Sequence, residues 1–151
     1  MSETLYKRDF YEWTREQGAA LRTPGANNLD WENLAEEIED LGSSQLATVF
    51  SYIRRIIEHL YKLADSENAL PRNRWRREIT TFRVNLMRPA TRSILNQAEA
   101  ELGQLHEEGC ILAQASMDQY EPHITVDCSR RWTLDQIFGR ADDPLKSEFR
   151  S

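Results

Sequence analysis

Apolar residues recur along this chain at intervals of three or four positions, which is the repeat of an amphipathic α-helix. The pattern predicts a first helix over residues 5–21, which Thr23-Pro24-Gly25 ends. A second apolar seam covers residues 31–64, a third covers residues 75–86, and a fourth helical region starts near Ala90. Since no stretch alternates as a β-strand does, the sequence predicts an all-α fold, an antiparallel bundle of about four main helices with short extra helices and an irregular C-terminal segment.

The second seam has one irregular step. Leu41 and Leu46 are five residues apart, where three or four would keep the stripe on one face. Gly42, Ser43 and Ser44 fill this step. We therefore expect a kink or a short break at the glycine, with one of the two serines capping the helix that follows.

Three tryptophans, Trp13, Trp31 and Trp75, share these stripes with other apolar residues, so we expect all three to be core anchors. A length of 151 residues is typical of one domain, so residues 1–151 are expected to form a single helical-bundle domain. The chain after about Gly139 carries little pattern, and we expect it to be a loose tail.

The composition is that of a soluble globular protein, with 40% hydrophobic and 29% charged residues. The net charge of −6 argues against general binding to nucleic acid, and no apolar run is long enough to cross a membrane. The N-terminus lacks the order of a secretory signal, so we expect a cytoplasmic location. Cys110 and Cys128 have no metal-site spacing and are expected to be two reduced, unrelated thiols, with an intramolecular disulfide as the alternative.

The most informative stretch is residues 30–42, which holds six acids and no lysine or arginine. At about 100° per residue, its apolar side chains fall in one arc and most of its acids fall on the opposite side. The arc is Trp31, Leu34, Ala35, Ile38 and Leu41, and the opposite side is Glu32, Glu36, Glu37, Glu39 and Asp40. Such a face is solvated, pairs with arginines of a neighbouring helix, or binds a divalent cation, since hard cations prefer carboxylate oxygens.

Residues 72–92 have the opposite character, with seven arginines and a single acid. Arg72, Arg76 and Arg83 border the apolar stripe of this helix, where they are placed to pair with the acidic run, Glu32 or Glu36 in particular. The predicted structural charge cluster is Glu32, Glu36, Glu39, Asp40, Arg72, Arg76 and Arg83. The arginines that point away from the stripe form a predicted interaction surface for an acidic partner or phosphate, made of Arg74, Arg77 and Arg88.

Several segments resemble the motifs of domain-of-unknown-function family 29. They are Asp9-Phe10-Tyr11-Glu12-Trp13, the whole run from Asp30 to Gly42, His59-Leu60-Tyr61-Lys62-Leu63, Arg74-Trp75-Arg76-Arg77-Glu78-Ile79, and the closing element from Cys128 to Phe138. The proline that follows the cysteine in the family pattern is missing here. The resemblance covers about residues 6–138. It implies a bacterial protein and an all-helical bundle, and it implies no catalytic residues, because the family has no assigned activity.

No catalytic constellation is recognised, since the chain lacks a phosphate loop, a nucleophile elbow and a Ser-His-Asp order. No cofactor is predicted. The leading hypothesis is a small protein-interaction or regulatory module without catalysis, whose partner is another protein or a second copy of the chain. The alternatives are a nucleic-acid-associated protein that uses the outward arginines of residues 72–92, and a metal-dependent hydrolase built on Glu32, Glu36 and His59. We expect His59, at the edge of an apolar stripe, to be a half-buried structural residue.

Overall fold

The computed structural model describes residues 4–147 and 149. Within these residues the chain forms eight helices and no strand, which confirms the predicted all-α fold. The helices are α1 (Leu5–Arg8), α2 (Phe10–Arg22), α3 (Trp31–Asp65), α4 (Ala69–Leu86), α5 (Arg92–Ala100), α6 (Leu102–Tyr120), α7 (Leu134–Phe138) and α8 (Pro144–Ser147). The four longest helices, α2, α3, α4 and α6, lie in the four regions that the apolar pattern predicted.

Helix α3 runs without interruption through Gly42, so the predicted break is wrong. Ser43 and Ser44 lie inside this helix and do not start a new one. One interior glycine costs a helix only about 1 kcal/mol, which the surrounding leucine, alanine and glutamate residues outweigh. By its internal contacts the chain divides into two compact units, Met1–Ser44 and Gln45–Ser151. The single domain expected over residues 1–151 stays a prediction.

In the first unit, α2 and the start of α3 are joined through Asp30. The indole N–H of the buried Trp13 donates to the Asp30 carboxylate over 3.1 Å, and the side-chain amide of Asn33 donates to it over 2.8 Å. Gln17 accepts the backbone N–H of Asp30 at 2.7 Å. The hydrogen bonds from Asn33 and Trp13 lower the pKa of Asp30, because they favour its charged form at the positive end of the helix.

The second unit is built on the C-terminal part of α3, with α4 antiparallel to it. Three contacts fix this direction, because the position on α4 falls as the position on α3 rises. They join Tyr52 to Phe82, His59 to Glu78, and Lys62 to Trp75. Helix α6 runs in the same direction as α3, since Arg54 pairs with Glu108 and Ser66 bonds to Glu121. Residues from all three helices form the core, among them Ile53, Ile57, Leu60, Ile79, Leu86, Ala113 and Met117.

Cys110 of α6 and Cys128 of the following loop form a disulfide, with their Cα atoms 5.8 Å apart. The expectation of two reduced, unrelated thiols is therefore wrong, and the alternative holds. After α6 the chain turns back along the helix, where Gln114 donates to the Ile124 carbonyl at 3.1 Å and accepts from the Val126 N–H at 2.8 Å. This return brings together two cysteines that are 18 positions apart, which their spacing alone did not indicate.

The C-terminal segment is fixed to α4, so the loose tail expected after Gly139 is wrong for the described residues. The guanidinium of Arg83 donates to both carboxylate oxygens of Asp143, at 2.9 and 3.1 Å, and to two backbone carbonyls of α7. Arg76 donates to the carbonyl of the buried Leu145 at 2.6 Å. Planar guanidinium groups are suited to such multiple bonds, and here they dock α7 and α8 onto the bundle.

Candidate functional site

The first part of α3 leaves its apolar stripe uncovered. Trp31, Ile38 and Leu41 are 70%, 66% and 71% exposed, and they lie on one side of the helix. The prediction that Trp31 is a core anchor is therefore wrong, whereas Trp13 and Trp75 are buried as predicted. Scattered apolar residues are normal on a protein surface, whereas several large ones on one side of a helix make that side a candidate binding surface.

The side of α3 that packs in the first unit overlaps only one edge of the apolar stripe. On that side Glu37 accepts a hydrogen bond from the Tyr6 hydroxyl at 2.5 Å, and Asn33 and Leu34 are half-buried. The bond to Glu37 raises the pKa of Tyr6 to about 12, because only the neutral phenol can donate it. The packed side of this helix is thus partly polar, and the large side chains of Trp31, Ile38 and Leu41 stay exposed beside it.

Exposed carboxylates continue around α3 from the edge of the apolar row. At about 100° per residue, Glu39 and Glu32 lie about 80° and 100° from Trp31, and Glu36 and Asp40 lie further round, on the opposite side. None of them has a lysine or arginine neighbour within residues 30–42. We call the combined surface the acidic face, and it consists of Trp31, Glu32, Glu36, Ile38, Glu39, Asp40 and Leu41. The face therefore offers apolar contact area bordered by unneutralised negative charge.

The metal site that the sequence suggested is not assembled in the described residues. No group of three or more His, Cys, Asp or Glu side chains is arranged there to hold a metal ion. Glu32 and Glu36 belong to the first unit, whereas His59 belongs to the second. The Nε2 atom of His59 is bound to the carboxylate of Glu78.

Arg72, Arg76 and Arg83 have partners other than the predicted acidic run. Arg72 donates to two backbone carbonyls at the C-terminal end of α3, which have no partner within the helix. Arg76 and Arg83 donate to the C-terminal segment, as described above. The three arginines thus bind other parts of the second unit to α4. These contacts take the place of the predicted pairing with residues 30–42.

The outward side of α4 and the turn after it combine arginines with apolar side chains. Arg77 and Arg88 are exposed, and the intervening Val84 and Met87 are 59% and 77% exposed. Arg74 is exposed as well, with its Nε 3.6 Å from a carboxylate one turn further on. We call this surface the basic face, and it consists of Arg74, Arg77, Val84, Met87 and Arg88. The three arginines of the predicted interaction surface therefore lie on one exposed side.

A buried polar cluster between α3 and α4 was not predicted in this form. His59 and Lys62 are both buried, and the Lys62 ammonium lies 4.8 Å from the centre of the Trp75 ring. Burial lowers the pKa of both side chains, because desolvation disfavours their charged forms. Within the described residues the Nδ1 atom of His59 has no hydrogen-bond partner. Charged residues such as Lys62 and Glu78 are typical of a solvated face, so no local pattern indicates that they meet.

His106 is a second buried histidine, and both of its ring nitrogens are used. Its Nδ1–H donates to the Leu102 carbonyl at 2.8 Å, and its Nε2 accepts the backbone N–H of Trp132 at 3.0 Å. This pattern requires the neutral ring, and burial lowers the pKa of His106 in the same sense. The histidine therefore acts as a structural link between α6 and the loop that precedes α7.

A family model described as a domain of unknown function, DUF29, matches residues 5–141 of the chain. The chain belongs to the DUF29 family. The match contains the acidic face and the basic face, so both lie within the part of the chain that defines DUF29. A comparison with curated proteins and another with solved structures each gave no match. In the described part of this DUF29 chain, every helix is too short or too polar to cross a membrane.

Proposed function

We propose that this DUF29 chain is a protein-interaction module without catalysis, which binds a basic amphipathic helix of a partner protein on its acidic face. The observation that carries this proposal is the exposed row of Trp31, Ile38 and Leu41. Covering the exposed part of these side chains would contribute about 1–2 kcal/mol each. A partner helix that supplies an apolar stripe of its own would obtain this stabilisation at close helix–helix contact.

The charges around the row determine which sign of charge a partner helix must carry. Glu32, Glu36, Glu39 and Asp40 are exposed, and residues 30–42 contain no basic side chain. An acidic helix or a nucleic acid would be repelled there, whereas lysine or arginine at the edge of a partner helix would be attracted. Because exposed charges are screened by salt, the binding should weaken as ionic strength rises.

The fluorescence of Trp31 can report this binding. Trp31 is exposed, whereas Trp13, Trp75 and Trp132 are each 4% exposed. Acrylamide should therefore quench Trp31 far more than the other tryptophans. Adding a synthetic amphipathic helix of leucine and lysine should shift the emission to the blue and reduce the quenching, with saturation at about 1–100 μM.

Two controls make the test specific. A peptide of the same pattern with glutamate in place of lysine should leave the fluorescence unchanged. Ile38→Asp should abolish binding of the basic peptide, whereas Ile111→Asp, at an equally exposed isoleucine of α6, should leave it intact. If both peptides bind alike, or if Ile38→Asp binds as the unchanged protein does, the acidic face is not a docking surface.

We also propose a cytoplasmic location in a bacterial cell. Disulfides are rare in that compartment, so the bond between Cys110 and Cys128 would form there only under oxidising conditions. Separation of cells into cytoplasmic and periplasmic fractions by osmotic shock, followed by immunodetection of the chain, measures the location directly. Recovery in the cytoplasmic fraction agrees with the proposal, and recovery in the periplasmic fraction contradicts it.

A further inference from the structure

We infer that the acidic face binds the basic face of a second copy of the same chain, so that molecules associate head to tail. This inference rests on the proposed function, because it names the partner helix that the acidic face receives. It is carried by the complementary charge and the matched dimensions of two exposed surfaces on one molecule.

The basic face is a separate surface from the core side of α4. On a helical wheel Arg77 and Val84 fall within about 20° of each other, and Arg88 lies in the turn that follows α4. The core residues of α4 lie on the opposite side, and they are Trp75, Ile79, Phe82 and Leu86. The outward side of α4 therefore makes no core contacts, and a partner can bind there.

The arginines of α4 and of the turn after it divide into two groups, according to whether their guanidinium groups are bound within the second unit. Arg72, Arg76 and Arg83 are held by carbonyls and a carboxylate of their own unit. In the described part of the chain no hydrogen bond or ion pair engages the guanidinium groups of Arg77 and Arg88. Two unpaired cations with apolar residues between them match the partner that the acidic face requires.

The two faces have nearly the same length. Trp31 and Leu41 lie ten positions apart on α3, which is about 15 Å at the helical rise of about 1.5 Å per residue. Arg77 and Leu86, the last residue of α4, lie nine positions apart, which is about 14 Å, and Arg88 follows in the turn. Each face combines apolar side chains with charges of one sign, and on the acidic face the charges nearest to the row are Glu32 and Glu39. One acidic face against another would bring like charges together, so a symmetric pairing of acidic faces is disfavoured. Pairing of unlike faces produces chains or rings of molecules.

Sedimentation velocity of the full chain tests this arrangement. The unchanged protein should show a weight-average mass that rises with concentration and falls as salt is added. Ile38→Asp and the double variant Arg77→Glu/Arg88→Glu should each be monomeric, with self-association weakened about tenfold or more. When the two variants are mixed, one intact acidic face meets one intact basic face, so a 1:1 heterodimer that does not grow further should form.

Further variants keep the test decisive. Arg15→Glu/Arg22→Glu changes the charge by the same amount at exposed arginines of α2 and should self-associate as the unchanged protein does. Val84→Asp removes the basic face in a second way and should behave as Arg77→Glu/Arg88→Glu does if that variant folds poorly. Circular dichroism identifies folded variants.

Three results would overturn the inference. They are an unchanged protein that stays monomeric at all concentrations, a mixture of the two variants that forms no heterodimer, and saturable binding of a labelled single-stranded RNA to the basic face without any self-association. If the lysine–leucine peptide still protects Trp31 in those cases, the proposed function stands and only the identity of the partner is wrong. If the peptide also fails to bind, both proposals are wrong.

Discussion

Replacing Gly109 with alanine is a direct test of the packing of α3 against α6. Gly109 is buried in α6, at the point where this helix passes closest to Ile57 of α3. A Cβ atom on Gly109 would lie 2.7 Å from Ile57 Cγ2 and 3.2 Å from Ile57 Cβ. It would also lie 3.3 Å from the backbone nitrogen of Glu58. Since Ile57 is fully buried and β-branched, neither its methyl group nor the backbone behind it can easily move away.

Two opposing effects set the size of the change. Alanine is favoured over glycine inside a helix by about 1 kcal/mol. Overpacking of a buried site costs about 1–3 kcal/mol, and contacts with atoms that cannot rotate away belong to the upper part of this range. We therefore expect Gly109→Ala to lower the free energy of unfolding by about 1–2 kcal/mol, and the melting temperature by about 2–8 °C.

Urea unfolding followed by the helical circular dichroism signal measures this loss. Gly103 of the same helix is the matched control, because nothing lies within 4 Å of a Cβ atom added there. Gly103→Ala should leave stability unchanged or raise it by up to about 1 kcal/mol. Ile57→Leu removes the methyl branch that clashes, so Gly109→Ala should be less harmful in that background. Equal stability of Gly109→Ala and the unchanged protein would refute the close approach of the two helices.

Other expectations concern the disulfide, the C-terminal anchor and the buried histidine. Cys128→Ser opens a loop of 18 residues and should cost about 3 kcal/mol, the same loss that reductant causes in the unchanged protein when both are melted. Arg83→Ala leaves the carboxylate of Asp143 without its partner and should cost about 3 kcal/mol in urea, whereas Arg77→Ala should cost almost nothing. Burial lowers the pKa of His106, so at mildly acidic pH this histidine binds a proton in the unfolded chain more readily than in the folded chain. Stability should therefore fall as pH drops below about 6.5, and His106→Gln should flatten this slope in unfolding measured against pH.

The helices of this DUF29 chain were predictable because their signals are local. The apolar period, the stop at Thr23-Pro24-Gly25 and the loop before α4 are all read within a few residues. Cys128 meets Cys110, and Asp143 meets Arg83, only after the chain has turned back on itself. Local sequence patterns do not indicate such returns, so the disulfide was only the alternative expectation and the ordered C-terminal segment was not predicted.

The acidic face shows a second limit of prediction from sequence, which has a different physical cause. The apolar row that begins at Trp31 and the one that begins at Val49 follow the same helical period along one continuous helix. Val49 is buried in the core of the second unit, whereas Trp31, Ile38 and Leu41 stay exposed. Amphipathic spacing indicates that one face of a helix is apolar, but it does not indicate whether another part of the molecule covers that face. The same pattern therefore accompanies a buried stripe in one part of α3 and an exposed stripe in the other, and only the packed structure separates the two.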